Sequence, residues 1–378
     1  MKVYLDNAAT TPLDTDVFKA MTPYLLEQYG NPSAHHRHGR EARLAIETSR
    51  ATIAKLLSAL PEEIIFTSGG TEADNMAIVS AVTCAGIDHV ITTPFEHHAV
   101  LQTIRSLGKK HDTRVSYLKY DKNGNLDLDH LEYLLRTNTR NLVSVMHANN
   151  EIGNLNDIEK IGELCERYKA LFHTDTVQTM GHYRFDLSQL KVHFLAASAH
   201  KFHGPKGVGF LYCRKGTRLA QLVHGGGQEN NLRAGTENIP GIVGLAKALE
   251  IAYQHLEDDT NHIQELKDSL ITQLKELIPD VRFNGNSAIA GKSLFTVLSI
   301  SLPSVFLNNS LIQYLDELDI SVSGGSACST GSASHVLKAI GTEPGFDTVR
   351  FSFSKYNALH EIDYVIDKLA SVYETVVV

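Results

Sequence analysis

The chain has 378 residues, 43% of them hydrophobic, with a net charge of −8 and a pI of about 6.2. That length buries a large core and exceeds one ordinary domain, so two lobes are expected. The acidic balance, without any block of about five or six like charges, argues against direct nucleic acid or an anionic membrane surface as a partner and favours a small neutral or zwitterionic ligand. The four cysteines, at 84, 165, 213 and 328, stand far apart without a C-x-x-C pair, which suits a reducing, cytoplasmic setting without disulfides. No apolar run approaches the ~18 residues of a membrane helix, and Met1 to Asp6 reads as a strand with an early acid, not as a signal peptide.

In chain order, Arg43 to Leu57 carries Ala45, Ile46, Ile53, Leu56 and Leu57 near helical spacing, and Pro61 closes the segment. Ile64-Ile65-Phe66 follows as a short strand, then the turn Thr67-Ser68-Gly69-Gly70-Thr71, then a helix from Glu72 to Val82. The alternation continues with a strand at 89–92, a helix at 100–107, a strand at 115–118, a helix at 128–135, a strand at 142–146 and a helix at 158–168. Strands at 171–174, 194–197 and 208–212 complete it. The pattern predicts an α/β fold, a mostly parallel sheet sandwiched by helices, with functional groups at the carboxyl ends of the strands. Beyond about residue 255 come a charged amphipathic helix, Ile263 to Leu277, an alternating strand, Leu294 to Leu302, two more helices and the strand Val349 to Phe353. These read as a smaller α+β lobe. We therefore expect a large domain over 15–255 and a small domain built from 1–14 plus 256–378.

Two strand ends carry candidate chemistry. The strand from Leu171 ends at Asp175, with Gln178 three residues on, and the strand from Phe194 runs into Ser198-Ala199-His200-Lys201 before Gly204-Pro205. A lysine at the end of an apolar strand, if desolvated, has an amine available to form a Schiff base with an aldehyde. Pyridoxal enzymes need such a lysine, an acid for the pyridine nitrogen and a phosphate cradle. Lys201 and Asp175 supply the first two. Gly69-Gly70-Thr71, between strand and helix, supplies backbone N–H groups and a helix dipole for the third, with Ser198 and His200 as further donors. Alone, a strand-end aspartate is commonly a cap, a lysine beside Gly-Pro a solvated loop residue and Gly-Gly-Thr a plain turn; their convergence on one sheet is the signal.

The motifs that carry these residues resemble those of the cysteine desulfurases, fold-type I pyridoxal-phosphate enzymes of the class V aminotransferase group. They are Tyr4 to Pro12 (YLDNAATTP), Gly30-Asn31-Pro32-Ser33, Thr67 to Asn75 (TSGGTEADN), Glu96 to Val100 (EHHAV), Met146 to Gly153 (MHANNEIG), Ser198 to Gly207 (SAHKFHGPKG), Arg233 to Asn238 (RAGTEN), Gly325 to Cys328 (GSAC) and Val349 to Ser352 (VRFS). The resemblance implies pyridoxal 5'-phosphate on Lys201, paired with Asp175 at the pyridine nitrogen and with Gln178 at the phenolic oxygen. It implies that His97 stacks on the ring and shares proton transfer with Lys201, and that Gly70, Thr71, Ser198 and His200 hold the phosphate. Thr236 would reach that phosphate from the second subunit of a homodimer. Asn150 and Arg350 would receive the carboxylate of L-cysteine, and the Cys328 thiolate, favoured by cationic neighbours such as His97, would take the sulfur as a persulfide. A sulfur-acceptor protein such as an iron–sulfur scaffold follows as a partner, with no resident metal and only transient cluster ligation at Cys328. The stretch Ser323 to Ser334 is made of small residues that cannot pack a core, so a mobile loop is expected around that thiol, whereas Cys84, Cys165 and Cys213 read as small buried hydrophobes.

The chain lacks the Arg-x-Gly-His-x-Cys pattern of the other desulfurase subgroup, and so resembles the iron–sulfur-cluster and nitrogen-fixation type. It departs from the family's usual residues at Thr176, which is expected to set a hydroxyl against the cofactor ring, at His193, and at Ser354-Lys355. The segment Gly285 to Ser293 imitates a nucleotide-binding P-loop but has one residue too many between its glycines and a strand, not a helix, after it. Selenocysteine lyase, an aminotransferase and a sulfur-relay scaffold without turnover are the rival readings.

Overall fold

The computed structural model describes residues 1–305, 310–324, 334–343 and 345–373. Cys328 lies outside the described residues. Strands β1 (Val3–Tyr4), β2 (Ile64–Thr67), β3 (His89–Thr92), β4 (Arg114–Tyr117), β5 (Asn141–Ser144), β6 (Leu171–Asp175), β7 (Phe194–Ser198) and β8 (Gly209–Cys213) precede β9 (Arg282–Phe283), β10 (Val297–Pro303), β11 (Ile320–Ser321) and β12 (Phe346–Ser352). Seven of them form one sheet in the order β2-β8-β7-β6-β5-β3-β4, in which β8 alone runs against the others. The α/β class with a mostly parallel sheet is what the sequence pattern predicts.

Both faces of this sheet are covered, and strand periodicity sorts the side chains between them. Ile64, Phe66, Phe172, Leu195, Ala197, Phe210 and Tyr212 pack on one face with helices Arg37–Leu56 and Ile239–Gln254. Ile65, Leu142, Phe194, Ala196 and Leu211 pack on the other with helices Gly70–Thr83 and His98–His111. Residues one apart on a strand point to opposite faces, so a sheet sandwiched between helices needs apolar residues at every position, which is how Phe194-Leu195-Ala196-Ala197 reads. A separate apolar cluster, including Val3, Leu5, Leu270, Leu298, Ile300, Phe351 and Leu369, surrounds the antiparallel sheet β12-β10-β9 and the parallel pair β1-β11.

Several elements differ from the sequence expectation. The helix expected from Arg43 begins at Arg37, where the His36 imidazole accepts the Gly39 N–H as an N-cap. The strand expected from Leu294 begins at Val297, because Leu294 turns back to donate its N–H to Gly153. Helices Thr15–Leu26, Ile239–Gln254 and Leu359–Tyr373 add to those expected. Gly285 to Ser293 is a run of turns packed on the buried side chain of Lys267, whose Nζ donates to Ser293 Oγ at 3.0 Å and to the Leu294 carbonyl at 2.9 Å. Burial lowers this ammonium's pKa to about 7.

Close approach of backbones brings the strand ends together. A Cβ on Gly209 of β8 would lie 2.3 Å from the Ala197 carbonyl and 2.8 Å from the Gly69 Cα, so the turn after β2 can rest against β7 and β8 only if residue 209 has no side chain. Gly209→Ala is expected to cost roughly 1–3 kcal/mol, as overpacking does in other cores, seen as a lower urea midpoint.

Candidate active site

Each side chain of the site arrives at the carboxyl end of a strand. After β2 the chain turns through Gly69 at φ +152°, a conformation essentially reserved for glycine, and enters the helix Gly70–Thr83 with no side chain capping its first N–H groups. After β3 it passes Glu96 and His97. After β5 it forms a turn in which Asn149 Oδ1 accepts the N–H of Glu151 and Ile152 while its amide donates to the Phe95 carbonyl, and this presents Asn150. Asp175 ends β6 and Ser198 ends β7, and a 3-10 turn sets His200 and Lys201 immediately after it.

These ends enclose a cavity of about 190 Å³ lined by Gly70, Thr71, His97, Asn150, Asp175, Gln178, Ser198, His200, Lys201 and Arg350. All ten are residues singled out from the sequence. Thr236 is not among them; it lines a separate recess beside Ser68, Glu229 and Arg233. Ala8, Ala9, Asp74, Met146 and Val177 also line the cavity, and sequence reasoning missed them. Asp74 and the two alanines do sit inside the TSGGTEADN and YLDNAATTP motifs, which was the available signal.

The half-buried Lys201 donates from Nζ to the carbonyls of Ala8 and Ala9 at 2.6 and 2.8 Å. Gln178 Nε2 donates to the same Ala8 carbonyl at 3.0 Å. Across the cavity, Asp175 accepts the Val177 N–H on Oδ1 at 2.8 Å. Asp74 and Glu96 are buried behind it, and Asp74 turns one oxygen to His173 Nε2 at 3.2 Å. Burial raises all three carboxyls, Glu96 to about 8, Asp175 to about 6 and Asp74 well above its ordinary value through repulsion from Asp175 and Glu96 as well. Asp175 is held below Glu96 by the Val177 N–H and the Lys201 ammonium. Of Asp175 and Glu96, Asp175 is therefore the one that carries the negative charge at neutral pH.

Asp74, His97 and Asp175 bring potential ligand atoms within 4.8 Å of one another, the one such trio among the described residues. His97 Nδ1 accepts the Ala99 N–H at 3.2 Å, which leaves the ring proton of the neutral imidazole to Nε2. Burial first, and then the Lys201 charge, lower the His97 pKa to about 4. The sequence expectation of a cationic His97 beside the thiol is therefore corrected: the ring is neutral at physiological pH. The expectation for Thr176 is corrected as well, since its buried hydroxyl donates to the Ala196 carbonyl at 2.8 Å and the residue does not line the cavity. At the other departures, His193 Nδ1 accepts the Phe172 N–H and Lys355 pairs with Asp14 at 2.8 Å.

Arg350, 1% exposed, reaches the cavity from β12. Its Nη1 donates to the Asn150 carbonyl at 2.8 Å and its Nη2 to Asp6 Oδ1 at 2.7 Å, while the buried Nε has no partner among the described residues.

An α/β sheet with a lysine, an aspartate and an uncapped helix N-terminus at its strand ends, faced by an arginine from a second sheet, defines a fold-type I enzyme. The chain belongs to the aminotransferase class-V family, whose profile matches residues 3–365. It is 44% identical to the cysteine desulfurase IscS of Dictyoglomus turgidum over 382 aligned residues, covering 99% of this chain and 95% of that protein. A solved NifS-like protein superimposes with a TM-score of 0.91 at 38% identity, covering 99% of this chain and all of that one. The structure of SspA in complex with cysteine superimposes with a TM-score of 0.80 at 31% identity, covering 95% of this chain and all of that one.

In cofactor-free protein, the Asp175 carboxyl is expected to titrate near pH 6, read from its carboxyl 13C resonance. Removing the Lys201 charge in Lys201→Ala withdraws the cation that lowers this value, so the midpoint should move up.

Proposed function

We propose that the protein is a pyridoxal-phosphate-dependent cysteine desulfurase that converts L-cysteine to L-alanine and transfers the sulfur to Cys328 as a persulfide. The observation that carries this reading is the convergence of the Lys201 amine, the Asp175 carboxylate and the Arg350 guanidinium on one cavity. The names of its relatives and the SspA complex with cysteine support the substrate.

The cavity's donor set fits the cofactor. The uncapped N–H groups of helix Gly70–Thr83, with Thr71, Ser198 and His200 beside them, suit a phosphate dianion. Asp175 opposite suits a protonated ring nitrogen, and Lys201 suits the aldehyde. When bound, pyridoxal phosphate supplies an electron sink for the pair released at the substrate's α-carbon.

The residues do the rest. Asp175, more acidic than the buried Glu96, would keep a proton on the ring nitrogen. Arg350 takes the substrate carboxylate with the Asn150 side chain beside it, which sets the amino group toward Lys201. Lys201, which would hold the cofactor's aldehyde, stands where its amine can move the α-proton, and neutral His97 offers an N–H to the same space. The Cys328 thiolate attacks the substrate sulfur. The S–S bond forms as the Cβ–S bond breaks; its electron pair stays with the carbon skeleton, which takes up a proton at Cβ, regains one at Cα from Lys201 and leaves as L-alanine.

The described ends of the Cys328 segment support its delivery there: Ser323 pairs by its backbone with Arg350, and the Ser334 hydroxyl donates to Glu151, next to Asn150. Homodimerisation belongs to the same proposal, with Thr236 completing the phosphate cradle of the other subunit. The exposed Phe18, Leu25, Leu26, Tyr29 and Leu44 on helices Thr15–Leu26 and Arg37–Leu56 and in the turn after the first are suited to such a contact. So do a large cofactor-binding domain over 15–255 and a small domain from 1–14 plus 256–378, supported by the separate apolar clusters. An iron–sulfur scaffold or similar acceptor protein receives the sulfur. Among the described residues no helix is long and apolar enough to cross a membrane, and the free thiols Cys84, Cys165 and Cys213 suit a reducing cytoplasm.

Incubation of the yellow holoenzyme with L-cysteine and a thiol reductant is expected to give sulfide and alanine in equal amounts. Cys328→Ala should abolish both and keep the chromophore; pyruvate as product, or turnover indifferent to Cys328, would contradict the proposal. Arg350→Lys cannot reproduce a bidentate fork, and kcat/KM for L-cysteine should fall about 10- to 100-fold, the equivalent of a charged hydrogen bond of ~1.5–3 kcal/mol.

A further inference from the structure

The Arg350 side chain has five N–H donors and, among the described residues, two hydrogen-bond partners. One is the Asn150 carbonyl; the other is the Asp6 carboxylate, 344 residues earlier in the chain. A guanidinium buried without a counter-charge is strongly disfavoured, so in the absence of substrate something anionic must face it, and Asp6 does. The pair is set with unusual firmness. Asp6 forms a bridge to Ser352, two residues beyond Arg350 on the same strand. Around it, Ser352 N–H donates to the Leu5 carbonyl at 2.7 Å and Asn7 Nδ2 to the Ser352 carbonyl at 2.9 Å. Both members of the ion pair are therefore pinned to one segment of β12.

The same strap continues to the other end of the substrate site. Ala8 and Ala9, two and three residues after Asp6, present the carbonyls that hold Lys201 Nζ, and Thr11 accepts the His203 N–H on its hydroxyl. The group that recognises a carboxylate and the group that exchanges with an amine are thus spaced by four consecutive residues of backbone. Nη2 given to Asp6 and Nη1 to Asn150 fix the guanidinium at two points in the cavity wall, each Nη keeping a second N–H.

We propose that Asp6 is a positioning and specificity-determining residue: by holding Nη2 and supplying the counter-charge it fixes the Arg350 guanidinium in the cavity wall to meet the substrate's α-carboxylate, and so makes the site select an α-amino acid over the same aminothiol without a carboxylate. Asp6 touches neither cofactor nor reacting atoms; it acts through Arg350. The inference rests on the desulfurase reading for its substrate, and on the geometry alone for its carboxylate.

The test uses the holoenzyme and its Asp6→Asn and Asp6→Glu variants, titrated with L-alanine and with cysteamine while the bound chromophore's absorption is followed. In Asp6→Asn the dissociation constant for L-alanine and the KM for L-cysteine are expected to rise about tenfold, ~1.4 kcal/mol, with kcat changed less than about threefold and cysteamine binding unmoved. Asp6→Glu keeps the charge on a longer stem and should raise the L-alanine constant by only about threefold. Equal weakening for both ligands would mean a merely structural role, and no change for L-alanine would mean that Asp6 does not position Arg350; either result overturns the proposal. If Asp6→Asn does not fold, the ratio of the two constants in Asp6→Glu decides, and an unchanged ratio overturns it. A wild-type holoenzyme that binds L-alanine but does not turn over L-cysteine would sink the desulfurase reading while leaving the role of Asp6 to be judged on L-alanine.

Discussion

An ammonium and a carboxylate held across one cavity are what the rest of this structure arranges. Asp175 and Ala196 are register partners on the neighbouring parallel strands β6 and β7, and Lys201 follows Ala196 by five residues through a single 3-10 turn. Burial works against an ionised carboxyl at this position. One backbone N–H and the cation opposite keep Asp175 more acidic than the enclosed Glu96. A group poised in this way can hold a proton on a ring nitrogen without a second anion competing for it.

The parallel sheet explains why these groups meet. Each strand delivers its carboxyl end to the same edge, so residues from five separate segments converge although the chain between them is long. The second sheet adds what the first cannot: a buried arginine on β12, tied to the cavity by the N-terminal strap. Residues 6 to 9 touch Arg350 at one end and Lys201 at the other. An amino acid bound as proposed would span the same two groups, so looseness in the strap would be felt at both of its ends.

Much of this was legible in the sequence. Continuous apolar runs such as Phe194-Leu195-Ala196-Ala197 marked strands covered on both faces, and Gly69-Gly70 marked the turn from strand into helix. The helix Ile239–Gln254 was harder to read because it is apolar over most of its surface, its polar stripe being narrowed to Lys247, Glu250 and Gln254 in the second half. The reversed direction of β8 leaves no trace in composition, since an antiparallel strand buried on both faces reads like a parallel one. The neutral state of His97 and the elevation of Glu96 and Asp74 follow from tertiary burial, which no local pattern encodes. Asp6 stood out only as an early acid, since its partner lies at the far end of the chain.

Two lysines of this chain are candidates for a reactive amine. Lys267 is the more deeply buried, with its pKa lowered to about 7, yet it is committed to Ser293 and Leu294 in a core that offers no anion cradle. Lys201 stands in the cavity, opposite Asp175. Borohydride reduction of the yellow holoenzyme followed by peptide mapping distinguishes them directly. A pyridoxyl group on Lys201 is the predicted result; a label on Lys267 or another lysine, or none at all, would contradict the account.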